Sequence, residues 1–256
     1  MRARSAFIIP DWPAAPWIKT YATTRYAGGV SLAPYDSLNL AAHAGDTSAA
    51  VSANREFVKR ELSIPSEPAW LAQPHGGQVI DPSTDNERKA DGACTRKPQT
   101  VCVVMTADCL PILLCDRAGT QVAALHGGWQ GLASGIIDSG LERMQCNRSE
   151  ILAWLGPAIG ARHYEVDAPV RDSMLARYFS CRKAFEASHA EHWFFDLYEA
   201  ARILLARGGV EAFYGGEFCT YADPERFFSY RREGVTGRMA SLIWIEELSE
   251  PKGACD

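Results

Sequence analysis

"TADCLPILLCDRAGTQVAALHGGW", Thr106 to Trp129, carries two apolar runs on either side of a short polar turn. With Ala118-Gly119 at the turn, the runs fold back as an antiparallel hairpin in which Asp116 opposes Gln121 and Pro111 opposes His126. Other short apolar runs, "TVCVVM", "ILAWL" and the late "ASLIWI", have strand length and turn-rich flanks. Helical spacing lies between them. One helix is predicted from Thr47 to Leu62, capped by Asp46, with Val51, Val58 and Leu62 on one stripe. A second carries Leu132, Ile136 and Met144, and a third opens at Asp196 with Glu199 as a capping box and stops at Gly208-Gly209. A hairpin among elements that do not alternate strictly requires a mixed sheet, so the expected fold is α/β, with packed mixed sheets flanked by helices.

The chain has 256 residues, 47% of them hydrophobic, enough for one large core, and a single domain over 1–256 is expected. A net charge of −5 offers no basic field for a nucleic-acid backbone, although a small anion can bind locally. No stretch is apolar enough to span a bilayer, and "MRARSAFIIPDWPAAPW" lacks the apolar core of a secretion signal. The eight cysteines show no CxxC pattern and read as reduced thiols. These features fit a cytoplasmic protein, with a monomer as the starting expectation and neither membrane nor nucleic acid as partner. The polar stretch Pro82 to Gly92 reads as an exposed loop.

The hairpin count places Cys109 at the same open end of the sheet as His126. Diagonal neighbours across strands are roughly 7 Å apart, so a thiolate and an imidazole can share one ion or one proton. Cys115 lies too far along the strand, roughly 20 Å, to join Cys109 on one ion. "AQPHGGQVI" offers His75 from a Gly-rich loop. Two histidines and one cysteine leave a fourth tetrahedral position open, the pattern of a catalytic zinc site rather than a structural one. Gly127 and Gly128 read as room beside that site for a substrate.

"TTRYAGGVS", "SLNLAAHAGD", "QPHGGQVI", "TADCLPILL", "ALHGGWQGLASGII", "LGPAIGARHYEV" and "CTYADPERFFSYRREGVTGRMASLIWI", in this order, resemble the YfiH-type family, from about Thr23 to Ile245. Its members are also described as multicopper polyphenol oxidases (laccases) and as purine nucleoside phosphorylases. The resemblance implies a fold similar to the deamidating-toxin catalytic domain and a metal site on His75, Cys109 and His126. It also implies zinc-dependent phosphorolysis of adenosine, inosine, guanosine or methylthioadenosine, with adenosine deamination. Copper-dependent oxidation of phenols and a peptidoglycan-precursor amidase are the other activities described in the family. Where relatives commonly have His-Ala-Gly-Trp-Arg-Gly, this chain has Gln130 in place of the arginine, and where they have Gln-Val-His-Gly it has Pro74.

Deamination needs a proton shuttle, for which Asp108 and Asp91 are the candidates, Asp91 reading more as a turn residue. Phosphorolysis needs an anion site, and two features are candidates: the helix start after Gly131 and Arg55, which lies on an otherwise apolar stripe. An internal carboxylate such as Asp36 or Asp46 is the competing partner for Arg55. Asn39 is a candidate for contact with base or ribose. Of the late block Phe227, Phe228, Tyr230, Arg231, Arg232 and Arg238, Arg231 is taken as the substrate residue and the aromatics as core. Copper on the same three ligands is the alternative metal, but six histidines without an HxH pair fall short of the centres a laccase needs. A metal-free alternative makes Cys109 a nucleophile with His126 as its base. A non-enzymatic zinc-stabilised binding protein would require a fourth protein ligand.

Overall fold

The predicted hairpin is the centre of the largest sheet, with Pro111 opposite His126 and Cys115 opposite Val122. The structure is a computed structural model that describes residues 7–26 and 28–247, so Arg2 and Arg4 of the amino-terminal stretch lie outside the described residues. In chain order the strands are β1 (Phe7–Ile8), β2 (Ile18–Thr23), β3 (Val79–Ile80), β4 (Gly92–Thr95), β5 (Cys102–Thr106), β6 (Leu110–Asp116) and β7 (Val122–Gly127). They continue with β8 (Ile151–Leu155), β9 (Glu165–Asp167), β10 (Phe185–His189), β11 (His192–Phe195), β12 (Ala212–Gly215) and β13 (Met239–Ile245). The helices are α1 (Ser48–Glu61), α2 (Trp129–Ser134), α3 (Ile136–Arg143), α4 (Ala168–Arg177), α5 (Leu197–Arg207) and α6 (Tyr230–Glu233).

One sheet runs β12-β8-β6-β7-β4-β3, a second β1-β2-β13-β5 and a third β10-β11-β9. The first is mixed, as expected: β12 lies parallel to β8 and β3 parallel to β4, while the remaining pairs are antiparallel. Strands β5, β6, β7, β8 and β13 are buried at every position, which explains their continuous apolar runs. Their period of two still sorts the side chains. From β6 and β7, Leu110, Ile112, Leu114, Ala123 and Leu125 enter one core with Leu132, Ile136, Leu141 and Leu204 of the helices. The alternate residues Leu113, Cys115, Val122 and Ala124 meet Ile243 and Ile245 of β13 in a second core between the two sheets. From the other face of β13, Ala240, Leu242 and Trp244 pack with Val58 of α1. The layers are therefore helix, sheet, sheet, helix, and residues 107–109 join the two sheets where β5 hands over to β6.

Two helix expectations need correction. Thr47, not Asp46, caps α1, its side chain accepting from the Ala50 N–H at 3.3 Å. Asp46 instead accepts from the Ser31 hydroxyl at 2.6 Å and the Asn39 amide at 3.0 Å. The helix after the hinge is broken at Gly135, whose φ of 93° ends α2 and starts α3 at a new angle, with Met144 as the final cap. Arg177 fills the space where a Cβ would stand, and its Nη1 donates to the freed Ser134 carbonyl at 2.6 Å. By contrast Asp196 caps α5 as predicted, accepting from the Glu199 N–H at 3.0 Å. The Pro82 to Gly92 loop is exposed at Glu87, Arg88 and Lys89, but Ala90, Asp91 and Gly92 turn inward.

Candidate metal centre between two cavities

His75, Cys109 and His126 converge, with a ligand atom from each lying within 4.8 Å of the others, and they are the one such group of three among the described residues. Each comes from a different part of the framework: His75 from the loop before β3, Cys109 from the crossover between sheets, His126 from the end of β7. The two imidazoles meet edge to face, 4.7 Å between centroids and 70° between planes. A nitrogen, nitrogen and sulfur set at this spacing fits a tetrahedral borderline-soft ion with one position open.

Asp91 sets this geometry. Its carboxylate is fully buried and accepts from the His75 N–H at 2.8 Å, the Gly76 N–H at 2.6 Å and His126 Nδ1 at 2.9 Å. Its carbonyl also accepts from the His126 N–H at 2.8 Å. A hydrogen bond from Nδ1 leaves Nε2 of His126 as the free donor atom, the usual arrangement of a carboxylate-oriented ligand histidine. Asp91 is therefore more than the turn residue its sequence context suggested. The backbone around it is held in left-handed conformations, with φ of 46° at Gln73, 64° at His75 and 94° at Asp108. Such residues persist where surrounding bonds over-determine them. Gln73 is clamped to Met105 by two bonds of 2.8 Å, and Asp108 accepts from Thr220 Oγ1 at 2.6 Å and from the Arg231 N–H at 2.7 Å.

Burial would raise the Cys109 thiol, but the charge of His126 and hydrogen bonds from both histidines outweigh it and bring it down to about 6. His126 moves the opposite way, to about 9, because the Cys109 and Asp91 charges overcome its burial. The thiolate needed for metal ligation is thus the resident form at neutral pH. Gly128 provides room, since a Cβ there would stand 2.9 Å from Cys109 Sγ and 3.3 Å from His75 Cδ2. Gly127 serves strand pairing instead, because its missing Cβ lets the Leu110 carbonyl approach to 2.8 Å of that position.

Two cavities meet at His75 and Cys109, and the second of them also reaches His126. One, of about 260 Å³, is walled by Trp129, Ile159, Tyr164 and Leu197, with Asp108 and Arg231 as its charged residues. The other, of about 410 Å³, is walled by His43, Gln73, His126 and Arg238 and by no carboxylate. Both include His75, Cys109 and Tyr230. Their sizes lie near the lower end of the roughly 300–1,000 Å³ of small-molecule sites, which suits one small substrate each.

The remaining sequence candidates divide. Asp108 and Arg231 line the first cavity. The Arg231 guanidinium lies 5.0 Å from the Tyr164 ring centroid and donates to the Glu165 carbonyl at 2.9 Å. Asn39 lines neither cavity: it is fully buried and bonded to Ala41, Asp46 and the Arg238 N–H. Arg55 also lines neither; it stacks on Trp70 at 4.0 Å and donates to the Leu40 carbonyl at 3.0 Å, and neither Asp36 nor Asp46 is its partner. The amides sought after Gly131 lie inside α2, which begins earlier, at Trp129. Phe227 and Phe228 are core, and Arg232 is turned inward onto the Thr220, Tyr221 and Phe227 carbonyls. His43, Tyr164 and Arg238 were not singled out as substrate residues by sequence; the signal for Arg238 was its place in the late arginine block.

Residues 19–246 match the family described as multi-copper polyphenol oxidoreductase laccase, and the chain belongs to that family of enzymes. It is 45% identical to a purine nucleoside phosphorylase of Pseudomonas aeruginosa over 95% of this chain and 100% of that protein. It is 46% identical to the purine nucleoside phosphorylase YfiH of Escherichia coli over 94% of this chain and 99% of that one. Among solved structures, a Neisseria meningitidis protein described as DUF152 superposes with a TM-score of 0.91 at 44% identity, covering 95% of this chain and 100% of its own. The YfiH protein of Bacillus licheniformis superposes with a TM-score of 0.83 at 30% identity, over 94% and 100% of the two chains. No helix among the described residues is long and apolar enough to cross a membrane.

Proposed function

We propose that the protein is a metal-dependent purine nucleoside phosphorylase, with zinc as the metal and adenosine deamination as a second activity of the same site. The observation that carries this reading is the pair of cavities meeting at His75 and Cys109, beside His126, one aromatic and apolar, the other cationic. A reaction of a nucleoside with an oxyanion needs that pairing. Phosphorolysis forms a bond from a phosphate oxygen to C1′ of the ribose and breaks the bond from C1′ to the purine nitrogen; the electron pair leaves with the purine, which takes up a proton.

The three ligands would hold zinc, which when bound supplies Lewis acidity at the junction of the cavities. Trp129 and Tyr164 offer faces for the purine, and Ile159 and Leu197 exclude water. Burial keeps the Tyr164 hydroxyl protonated well above neutral pH, so it acts as a donor. Asp108 accepts hydrogen bonds on both carboxylate oxygens, which suits orienting Arg231 better than moving a proton. Two histidines at one centre are too few for the several copper centres of a laccase, so the phenol-oxidase reading is disfavoured. A second reading is supported by the chain Cys109, His126 and Asp91, which has the order nucleophile, base and orienting carboxylate of a cysteine hydrolase.

The test is incubation of metal-analysed protein with adenosine and phosphate. Ribose 1-phosphate that vanishes on chelation and in His126→Ala supports the phosphorylase. Activity that survives chelation but is lost on thiol alkylation favours the hydrolase instead.

A further inference from the structure

Arg238 has no ion-pair partner among the described residues; its guanidinium lies 5.6 Å from the Tyr230 ring centroid, and Cys109 and Asp108 are the nearest negative groups acting on it. Its Nη1 donates to the Thr236 and Gly237 carbonyls at 2.7 and 3.0 Å, while Nε and Nη2 have no partner among the described residues. No carboxylate of the described residues lies within ion-pair distance of it, although the neighbouring arginines Arg25 and Arg232 are both paired. A half-buried guanidinium whose free donors face a cavity favours an anion there, and burial pushes Arg238 below its ordinary value. The position is built rather than accidental. Asn39 Oδ1 accepts the Arg238 N–H at 3.0 Å, and Asn39 is itself gripped by Asp46 and by Asn54, whose amide donates to its carbonyl at 2.8 Å. Gly237 lets this segment lie against Asn39 and Phe228, where a Cβ would stand 2.9 and 2.7 Å from them. His43 lines the same cavity, and the charges on Arg238 and Arg55 add to its burial in pushing its imidazole down. The wall therefore has no carboxylate, and the Cys109 thiolate, already paired with His126, is its one negative group facing Arg238.

We propose that the cavity walled by His43, Gln73, His126 and Arg238 is the subsite for inorganic phosphate, with Arg238 as its anchor and His43 at its rim, on the opposite side of the ligand triad from the purine. This deepens the phosphorylase reading and rests on it for the identity of the anion. The guanidinium offers two free donors in the fork that matches two oxygens of a tetrahedral oxyanion. Asn39 acts here as a positioning residue, through the Arg238 backbone.

The experiment measures binding of inorganic phosphate by calorimetry, together with both KM values, in wild type, Arg238→Met, Arg238→Lys and His43→Gln. The thermal midpoint of each variant reports folding, and His43→Gln, at the rim, keeps the test available if Arg238→Met does not fold. Losing a charged hydrogen-bond pair predicts about 10- to 100-fold weaker phosphate binding in Arg238→Met, partial recovery in Arg238→Lys and a smaller loss in His43→Gln. The KM for phosphate rises while that for nucleoside is unchanged. A folded Arg238→Met that binds phosphate as wild type does, or loss on Arg231→Met instead, overturns the assignment. Nucleoside 5′-monophosphate binding with the same Arg238 dependence, and tighter than phosphate, assigns the cavity to a phosphate ester and overturns the free ion. Wild type that binds phosphate through Arg238 yet releases no ribose 1-phosphate leaves the subsite standing and removes the phosphorylase reading.

Discussion

Replacing Gly128 by alanine tests the candidate metal centre with one methyl group. The residue has φ of −70° and ψ of 162°, ordinary extended backbone that alanine adopts freely, so no conformational penalty confuses the result. The new Cβ would stand 2.9 Å from Cys109 Sγ. Non-bonded contacts between heavy atoms settle at about 3.5–4.0 Å, so the sulfur or the helix start has to retreat by about 0.6 Å or more. Metal-ligand distances tolerate about 0.2 Å. The displacement exceeds that tolerance severalfold, and His75 Cδ2 at 3.3 Å is pressed in the same direction. We expect zinc affinity to fall by about 10- to 100-fold, the range typical of disturbed ligand support and equal to about 1.4–2.8 kcal/mol. Competition against a chromophoric chelator measures it, with melting of the metal-free protein as the control for folding. An affinity within threefold of wild type, in a protein melting normally, would mean that Cys109 is not a ligand in the place described.

Four further outcomes are expected. Asp91→Asn, which weakens the hold on His126 Nδ1 and the His75 loop, should lower zinc affinity by about 10- to 100-fold in the same competition assay. In metal-free protein, iodoacetamide labelling of Cys109 followed by peptide mapping should rise with pH through a midpoint near 6 as the thiolate forms, while Cys94 and Cys115, pushed by burial up to about 12, stay unlabelled. His126→Ala should move that midpoint up toward the ordinary thiol value of about 8.5, and an unmoved midpoint contradicts the ion pair. Tyr164→Leu should raise the KM for nucleoside by about 2- to 12-fold, the worth of one aromatic contact, with phosphate KM unchanged. Leu125→Ala, at a fully buried position, should destabilise the fold by about 2–5 kcal/mol, read as a lower urea midpoint at constant slope.

The hairpin was legible because its evidence is local: two runs of strand length, a glycine in the turn, and a register that one turn position fixes. Strands β5, β8 and β13 were legible for the same reason, being continuous apolar runs between turn signals. The break at Gly135 was not, because the helical spacing of Leu132 and Ile136 continues across it, and the residue that stabilises it, Arg177, arrives from another helix. Asp91 sits in a stretch that reads as a turn, and its bond to His126 spans 35 residues of chain. Spacing placed Cys109 beside His126 because both belong to one hairpin, whereas His75 reached the site only through a loop whose course the sequence leaves open. The cationic cavity was the hardest to see. Its wall draws on the α1 approach, the His75 loop, β5, β7 and the start of β13, so its charge balance exists only after folding. Arg55 and Asn39, both credible ligand residues by pattern, proved to be occupied by Trp70 and by the backbone of Arg238.

Because His75 comes from a separate loop while Cys109 and His126 meet only once their hairpin has closed, an ion held by all three is a tether that only the folded chain can accept. At a free metal concentration one hundred times its dissociation constant, such binding adds about 2.7 kcal/mol to folding stability. Loaded and unloaded chains then differ in how long they survive proteolysis, not only in what they catalyse. Cellular metal supply would in this way govern the amount of the enzyme as well as its turnover, and the half-life of the protein in metal-starved cells becomes a physiological reading of the site's occupancy.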